Sequence, residues 1–179
     1  MNNMDSESLL WRKRKPSLSL WNQFLDEFLD AFPLENLLKR RVFICGSYKP
    51  EAFQRLQLAK EEINREENYF AFLMADFKRF LDKNYIEKFS FLASFSNTII
   101  MIIEHEEGFL IEFGIIIANK HFYDKTTIFV LKKAQDRLTP MLTKGGFKPP
   151  FYTENKNLFY FNTTSDLLMK IRKLLKTYN

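Results

Sequence analysis

The run Thr98-Ile-Ile-Met-Ile-Ile-Glu104 limits what this chain can fold into more than any other segment. A strand with one wet face alternates apolar and polar side chains, and this run does not alternate, so both of its faces must be covered. A strand covered on both faces belongs in the middle of a parallel sheet, with helices above and below joined by right-handed crossovers. The rest of the chain fits that demand. Apolar strands are expected over 41–46, 68–77, 126–131 and 158–162, with the second ending near Asp76. Amphipathic helices are expected over 51–66, 78–95 (broken near Asn84), 107–120 and 164–178, the last capped by Thr164 or Ser165. Strand-helix alternation of this kind specifies an α/β fold, a flavodoxin- or Rossmann-like three-layer open sheet of about five parallel strands, and of the strand orders such sheets adopt 2-1-3-4-5 is the one expected. In such sheets ligands bind beyond the carboxyl ends of the strands, where the strand order reverses. The segments after the first and third strands are therefore where function is sought.

Three regions follow from the pattern. Residues 1–16, containing Arg12-Lys13-Arg14-Lys15, are expected to be a flexible basic arm. Residues 17–40 carry an extra N-terminal helix, with Leu18, Trp21, Leu25, Phe28, Leu29 and Phe32 on one face and Asp26, Glu27 and Asp30 mostly on the other. Ser17 or Ser19 caps this helix, Pro33 closes it, and a short helical turn spans 34–40. The α/β domain occupies 41–179. The apolar face of the N-terminal helix must cover either its own sheet or a second subunit, which makes a homodimer through this helix one expectation. The 20 Phe point to a Phe-packed interior.

The single Cys45 excludes an intrachain disulfide and a multi-cysteine metal site. His105 and His121 are too few for a His-rich metal site, and no organic cofactor is expected either. No apolar run approaches the roughly 20 residues that span a bilayer, and the N-terminus lacks a signal-peptide pattern, so the expectation is a cytoplasmic protein without membrane contact. The net charge of +5 sits largely at the two ends, with Lys170, Arg172, Lys173 and Lys176 in the last helix. Nucleic-acid binding through these termini ranks lowest among the functions weighed.

Gly46-Ser47-Tyr48-Lys49-Pro50 follows the first strand. Gly46 permits close backbone approach, Ser47 can meet a sugar hydroxyl or phosphate, and Tyr48 can stack on a base. Asp76, at the end of the second strand, is placed to hold a ribose hydroxyl or to cap the next helix. After the third strand, Glu104-His105-Glu106-Glu107-Gly108 leads into Phe109-Leu-Ile-Glu-Phe-Gly-Ile-Ile-Ile-Ala118. Glutamates at a helix start are ordinary dipole partners. Glu112, however, is a lone acid in an apolar run. Gly114 beside it costs the helix stability and is expected to allow close packing on a strand. An ionised carboxylate beside a pocket can attack an anomeric carbon or stabilise an oxocarbenium ion, while a second carboxylate handles the proton. Gly145-Gly146-Phe147-Lys148-Pro149-Pro150 is either a lid over the crevice or a long connection.

The stretch EEGFLIEFGIIIA resembles the nucleoside 2-deoxyribosyltransferase signature, and the TIR-type NAD-cleaving domains more distantly. Glu106 precedes Glu112 by six residues, Gly114 matches the helix glycine, and VFICGSY and the Ser96-Asn97 pair before the central strand resemble the superfamily's counterparts. The resemblance covers roughly 41–131. It implies an N-glycosidic enzyme acting on a nucleoside, nucleotide or NAD-like molecule. Glu112 is then the nucleophile and Glu106 the second catalytic carboxylate, with Gly46, Ser47, Tyr48, Asp76, Glu87 and Gly108 around the substrate. The family's Asp in the helix before the central strand is missing, and Glu87 is its nearest substitute. That departure supports the alternative, a nucleotide-binding sensor or interaction module without full catalytic machinery.

Overall fold

The computed structural model describes residues 17–82, 84–105, 109–138 and 157–177. Its centre is a five-stranded, all-parallel sheet in the expected order 2-1-3-4-5. The strands are β1 (Arg40–Gly46), β2 (Tyr69–Leu73), β3 (Thr98–Ile103), β4 (Thr126–Leu131) and β5 (Leu158–Phe161). The central strand β3 is buried along its whole length and lies between β1 and β4, with Gly46 opposite Ile102 and Met101 opposite Ile128.

Helices cover both faces. On one side α2 (Pro50–Asn64) and the C-terminal α6 (Thr164–Lys176) bury Leu56, Ile63, Leu167 and Ile171 against Val42, Ile44, Ile100 and Phe129. On the other, α1 (Leu18–Ala31), α3 (Tyr85–Phe95) and α4 (Leu110–Ala118) pack over Phe43, Phe72, Ile99 and Met101. The short α5 (Lys120–Tyr123) follows α4. Side-chain caps set several helix starts. Ser17 Oγ accepts from the Leu20 N–H at 3.2 Å, and Asn84 Oδ1 from the Glu87 N–H at 3.0 Å. Thr163, rather than Thr164 or Ser165, caps α6 by accepting from the Asp166 N–H at 3.2 Å. On the outer side of β2, the Asn64 amide binds both polar groups of Ala71, accepting from its N–H at 2.6 Å and donating to its carbonyl at 3.2 Å.

The N-terminal helix packs within its own chain. Phe24 and Phe28 are fully buried, Phe24 stacking on Phe77 at 5.2 Å and Phe28 meeting Phe70 edge-on at 5.5 Å. This differs from the expected inward face: Leu18 and Leu29 are exposed, and Glu27, assigned to the polar side, is buried. A dimer using this helix would have only its remaining exposed apolar residues to offer.

Several boundaries also differ. The strand expected over 68–77 stops at Leu73, and a 3-10 turn, Met74–Asp76, replaces its end. Residues 78–82 are turn and bend rather than helix, so only the part after Asn84 is helical. The helix expected over 107–120 begins at Leu110 and ends at Asn119, whose side chain accepts from the His121 N–H at 3.0 Å and starts α5. The turn after Pro33 is a 3-10 helix, Leu34–Leu37. A 3-10 turn at Lys132–Ala134 continues into helix over 135–138, and the Gly145–Pro150 segment lies outside the described residues.

Gly114 does not serve close packing as expected, since a Cβ placed there meets nothing within 4 Å among the described residues. Against the described residues, its effect on stability is then its poor helix propensity. Gly114→Ala is expected to raise stability by about 1 kcal/mol and Tm by roughly 2–4 °C in thermal unfolding. A lower Tm would mean that something covers this position.

Candidate active site

The carboxyl ends of β1, β2 and β3 meet at one side of the molecule. There, a cavity of about 340 Å³ is lined by Tyr48 from the turn after β1 and by Met74, Ala75 and Phe77 beyond β2. Lys78, Leu81 and Asp82 from the following turn, and Tyr85 and Lys88 from α3, complete its wall. Tyr85 and Lys88 share a helix face because they stand three residues apart. Tyr48 is held by stacking on Phe53, ring centres 5.3 Å apart.

Glu112 lies behind Tyr85. It occupies the first turn of α4 and is only 1% exposed. The Tyr85 hydroxyl donates to Glu112 Oε1 at 2.5 Å, while Oε2 is buried without a hydrogen-bond partner among the described residues. Burial pushes the carboxyl up to about 7, and the Tyr85 hydrogen bond pulls it the other way. Around it, burial first and the Glu112 charge second raise the hydroxyls of Tyr48 and Tyr85 and the Cys45 thiol above their ordinary ranges. Near neutral pH this is a titrating carboxyl ringed by groups that keep their protons. Such a carboxyl can act as a general acid or base, or as a nucleophile once ionised.

The other expected site residues divide. Tyr48 joins Glu112 and the cavity. Ser47 is buried next to it, its hydroxyl accepting from the Lys49 N–H at 3.3 Å in the turn. Gly46 is needed by the sheet, because a Cβ there would stand 2.4 Å from the Ile102 carbonyl oxygen. Asp76 holds its own turn: it accepts from the Leu73 N–H at 2.7 Å and from Lys60 at 2.8 Å. Glu87 is exposed and accepts from the Asn84 amide at 2.8 Å, so the structure does not bring it to Glu112. Glu106 and Gly108 lie outside the described residues. Of the motif before the central strand, Asn97 accepts from the Arg41 N–H at 2.9 Å, at the opposite edge of the sheet from the cavity.

Sequence reasoning missed Tyr85, Lys88 and Glu27. Tyr85 stands two residues before Glu87 and carries no carboxylate or motif signal of its own. Lys88 is buried and donates to the Phe77 carbonyl, and burial lowers its affinity for the proton. A second polar pair stands where β3 ends on the α2 side, with Arg55 donating to the buried Glu104. Among the described residues, no three His, Cys, Asp or Glu side chains are grouped to hold a metal, and no helix is long and apolar enough to cross a membrane. In α6, Lys170 is engaged by Asp166 and the Tyr160 carbonyl, and Arg172 by Glu62. The basic arm lies outside the described residues.

Comparison of the chain with family models, with curated proteins and with solved structures finds no match. The functional reading accordingly rests on the residues themselves.

Proposed function

We propose that the protein cleaves or transfers the N-glycosidic bond of a nucleoside, nucleotide or NAD-like molecule, with Glu112 as the working carboxylate. The observation that carries this is a nearly fully buried glutamate, hydrogen-bonded by a tyrosine, behind a cavity at the carboxyl edge of the sheet. When ionised, Glu112 would attack the anomeric carbon, or stand beside it as positive charge develops, while the base departs with the bonding electron pair. Tyr48 and Tyr85, whose rings line the cavity, offer stacking surfaces for a base and hydroxyl groups for a sugar. The EEGFLIEFGIIIA resemblance agrees with this role for Glu112.

A second reading, binding without turnover, is favoured by one observation: the Glu112 carboxylate is engaged by Tyr85 and is not itself part of the cavity lining. The test is incubation with a panel of nucleosides, nucleoside monophosphates and NAD, following free base by chromatography and thermal stability in parallel. Released base is the expected result. Ligand-dependent stabilisation without released base would replace the enzyme by a sensor, and neither effect would end both readings.

A further inference from the structure

The geometry points to Glu27, in the N-terminal helix, as the positioning residue that holds the cavity wall in place beside Tyr85 and in front of Glu112. The inference rests on the reading of Glu112 as the working group, but it starts from a different feature. Glu27 is 6% exposed and lies between the fully buried Phe24 and Phe28 on α1. A carboxylate placed there is costly unless it is hydrogen-bonded. It accepts from the N–H groups of Arg79 and Phe80, at 2.8 and 2.5 Å, one to each oxygen. Those N–H groups belong to the turn over 78–82, which has no helix or strand to hold it.

The next residue, Leu81, has a φ of 47°, a left-handed conformation that a branched side chain seldom adopts. Such a conformation persists where the surroundings over-determine it, and it tends to gather at ligand sites. Here the surroundings are Glu27 on the backbone and Phe80 clamped between Phe24 at 5.5 Å and Phe91 at 4.7 Å. The Arg79–Asp30 pair is exposed on both sides and adds little. The outcome faces the cavity: Lys78, Leu81 and Asp82 form its wall. Asn84 then caps α3, the helix that carries Tyr85 to Glu112. Lys88, like Arg79, feels the charge of Glu27, and it fixes the start of the same turn by donating to the Phe77 carbonyl. A segment outside the five-stranded domain thus sets the shape of the site within it.

The test uses the full chain and needs no ligand, so its failure is distinguishable from failure of the base-release assay. In Glu27→Gln one amide N–H loses its acceptor, because the NH₂ replaces an oxygen. Amide hydrogen exchange at residues 79–81 is expected to accelerate by about tenfold or more while β3 amides keep their protection. Water then reaches past the exposed Tyr85 to Glu112, whose carboxyl, followed by carbon NMR and assigned by its absence in Glu112→Gln, is expected to titrate nearer the ordinary glutamate range. An unchanged Glu112 midpoint in Glu27→Gln would reduce Glu27 to a fold contact and overturn the proposal. Should that variant fail to fold, Glu27→Asp decides, since it keeps the charge but shortens the reach to the Arg79 and Phe80 amides. A downward midpoint there supports the proposal, and an unmoved one overturns it.

Discussion

Replacing Glu112 by Gln is expected to abolish base release and, in the same protein, to raise stability above neutral pH. Loss of the nucleophile should lower kcat by at least about 10³-fold, as removal of a covalent or charge-stabilising group commonly does. The stability effect has the opposite sign from most carboxylate losses. The folded carboxyl keeps its proton up to about pH 7, whereas the ordinary value is 4.5. Between those limits the folded state binds more protons than the unfolded one, so stability falls as pH rises through that window. Above pH 7 the ionised form carries a cost of roughly 3 kcal/mol, which the neutral amide does not have. Glu112→Gln should therefore unfold at clearly higher denaturant concentration than wild type at pH 8.5 and at nearly the same concentration at pH 4. Undiminished base release in the variant would remove Glu112 from the chemistry. Equal stability at both pH values would mean that the carboxyl is solvated rather than buried.

Gly46→Ala is expected to damage the fold directly. The new Cβ would stand 2.4 Å from the Ile102 carbonyl oxygen and 3.1 Å from a Leu56 methyl group. The first of these atoms is backbone of the central strand and cannot swing aside. Relief requires separating β1 from β3 at the pair Gly46–Ile102, beneath Ser47 and Tyr48. The cost should be about 3 kcal/mol, seen as a Tm lowered by roughly 6–12 °C. A wild-type Tm in this variant would show that the two strands part easily at their ends. Base release should fall together with stability, since the Tyr48 wall rests on that strand end.

The parallel, helix-covered sheet was legible because it rests on local periodicity and on connection rules, both of which a single sequence carries; the order 2-1-3-4-5 was one of several those rules allow. Glu112 was legible for a related reason: an acid within FLIEFGIIIA has no structural motive of its own. What escaped depended on distant partners. Phe77, Phe80 and Leu81 recur at helical spacing, yet Phe80 turns to meet Phe24, more than fifty residues earlier, and the turn over 78–82 follows that contact. Glu27 sits among the acids of a polar stripe, and only the amides of Arg79 and Phe80 explain why it turns inward. Tyr85 carries no periodic signal, because its role depends on a carboxylate 27 residues further along the chain. Gly114 misled for the opposite reason: a costly residue invites an explanation, and no described neighbour supplies one.

The Asn64 amide against Ala71 has a consequence for how this protein meets copies of itself. β2 is an outermost strand, and an outermost strand is a template on which another chain can continue the sheet. Here the outward N–H and carbonyl of Ala71 are occupied by a side chain shaped like a peptide group, and the Leu73 N–H by Asp76. An incoming strand would have to displace both before it could pair. The border of the sheet is sealed from within by two polar side chains, so growth of the sheet into an aggregate through β2 is blocked at the positions where it would begin.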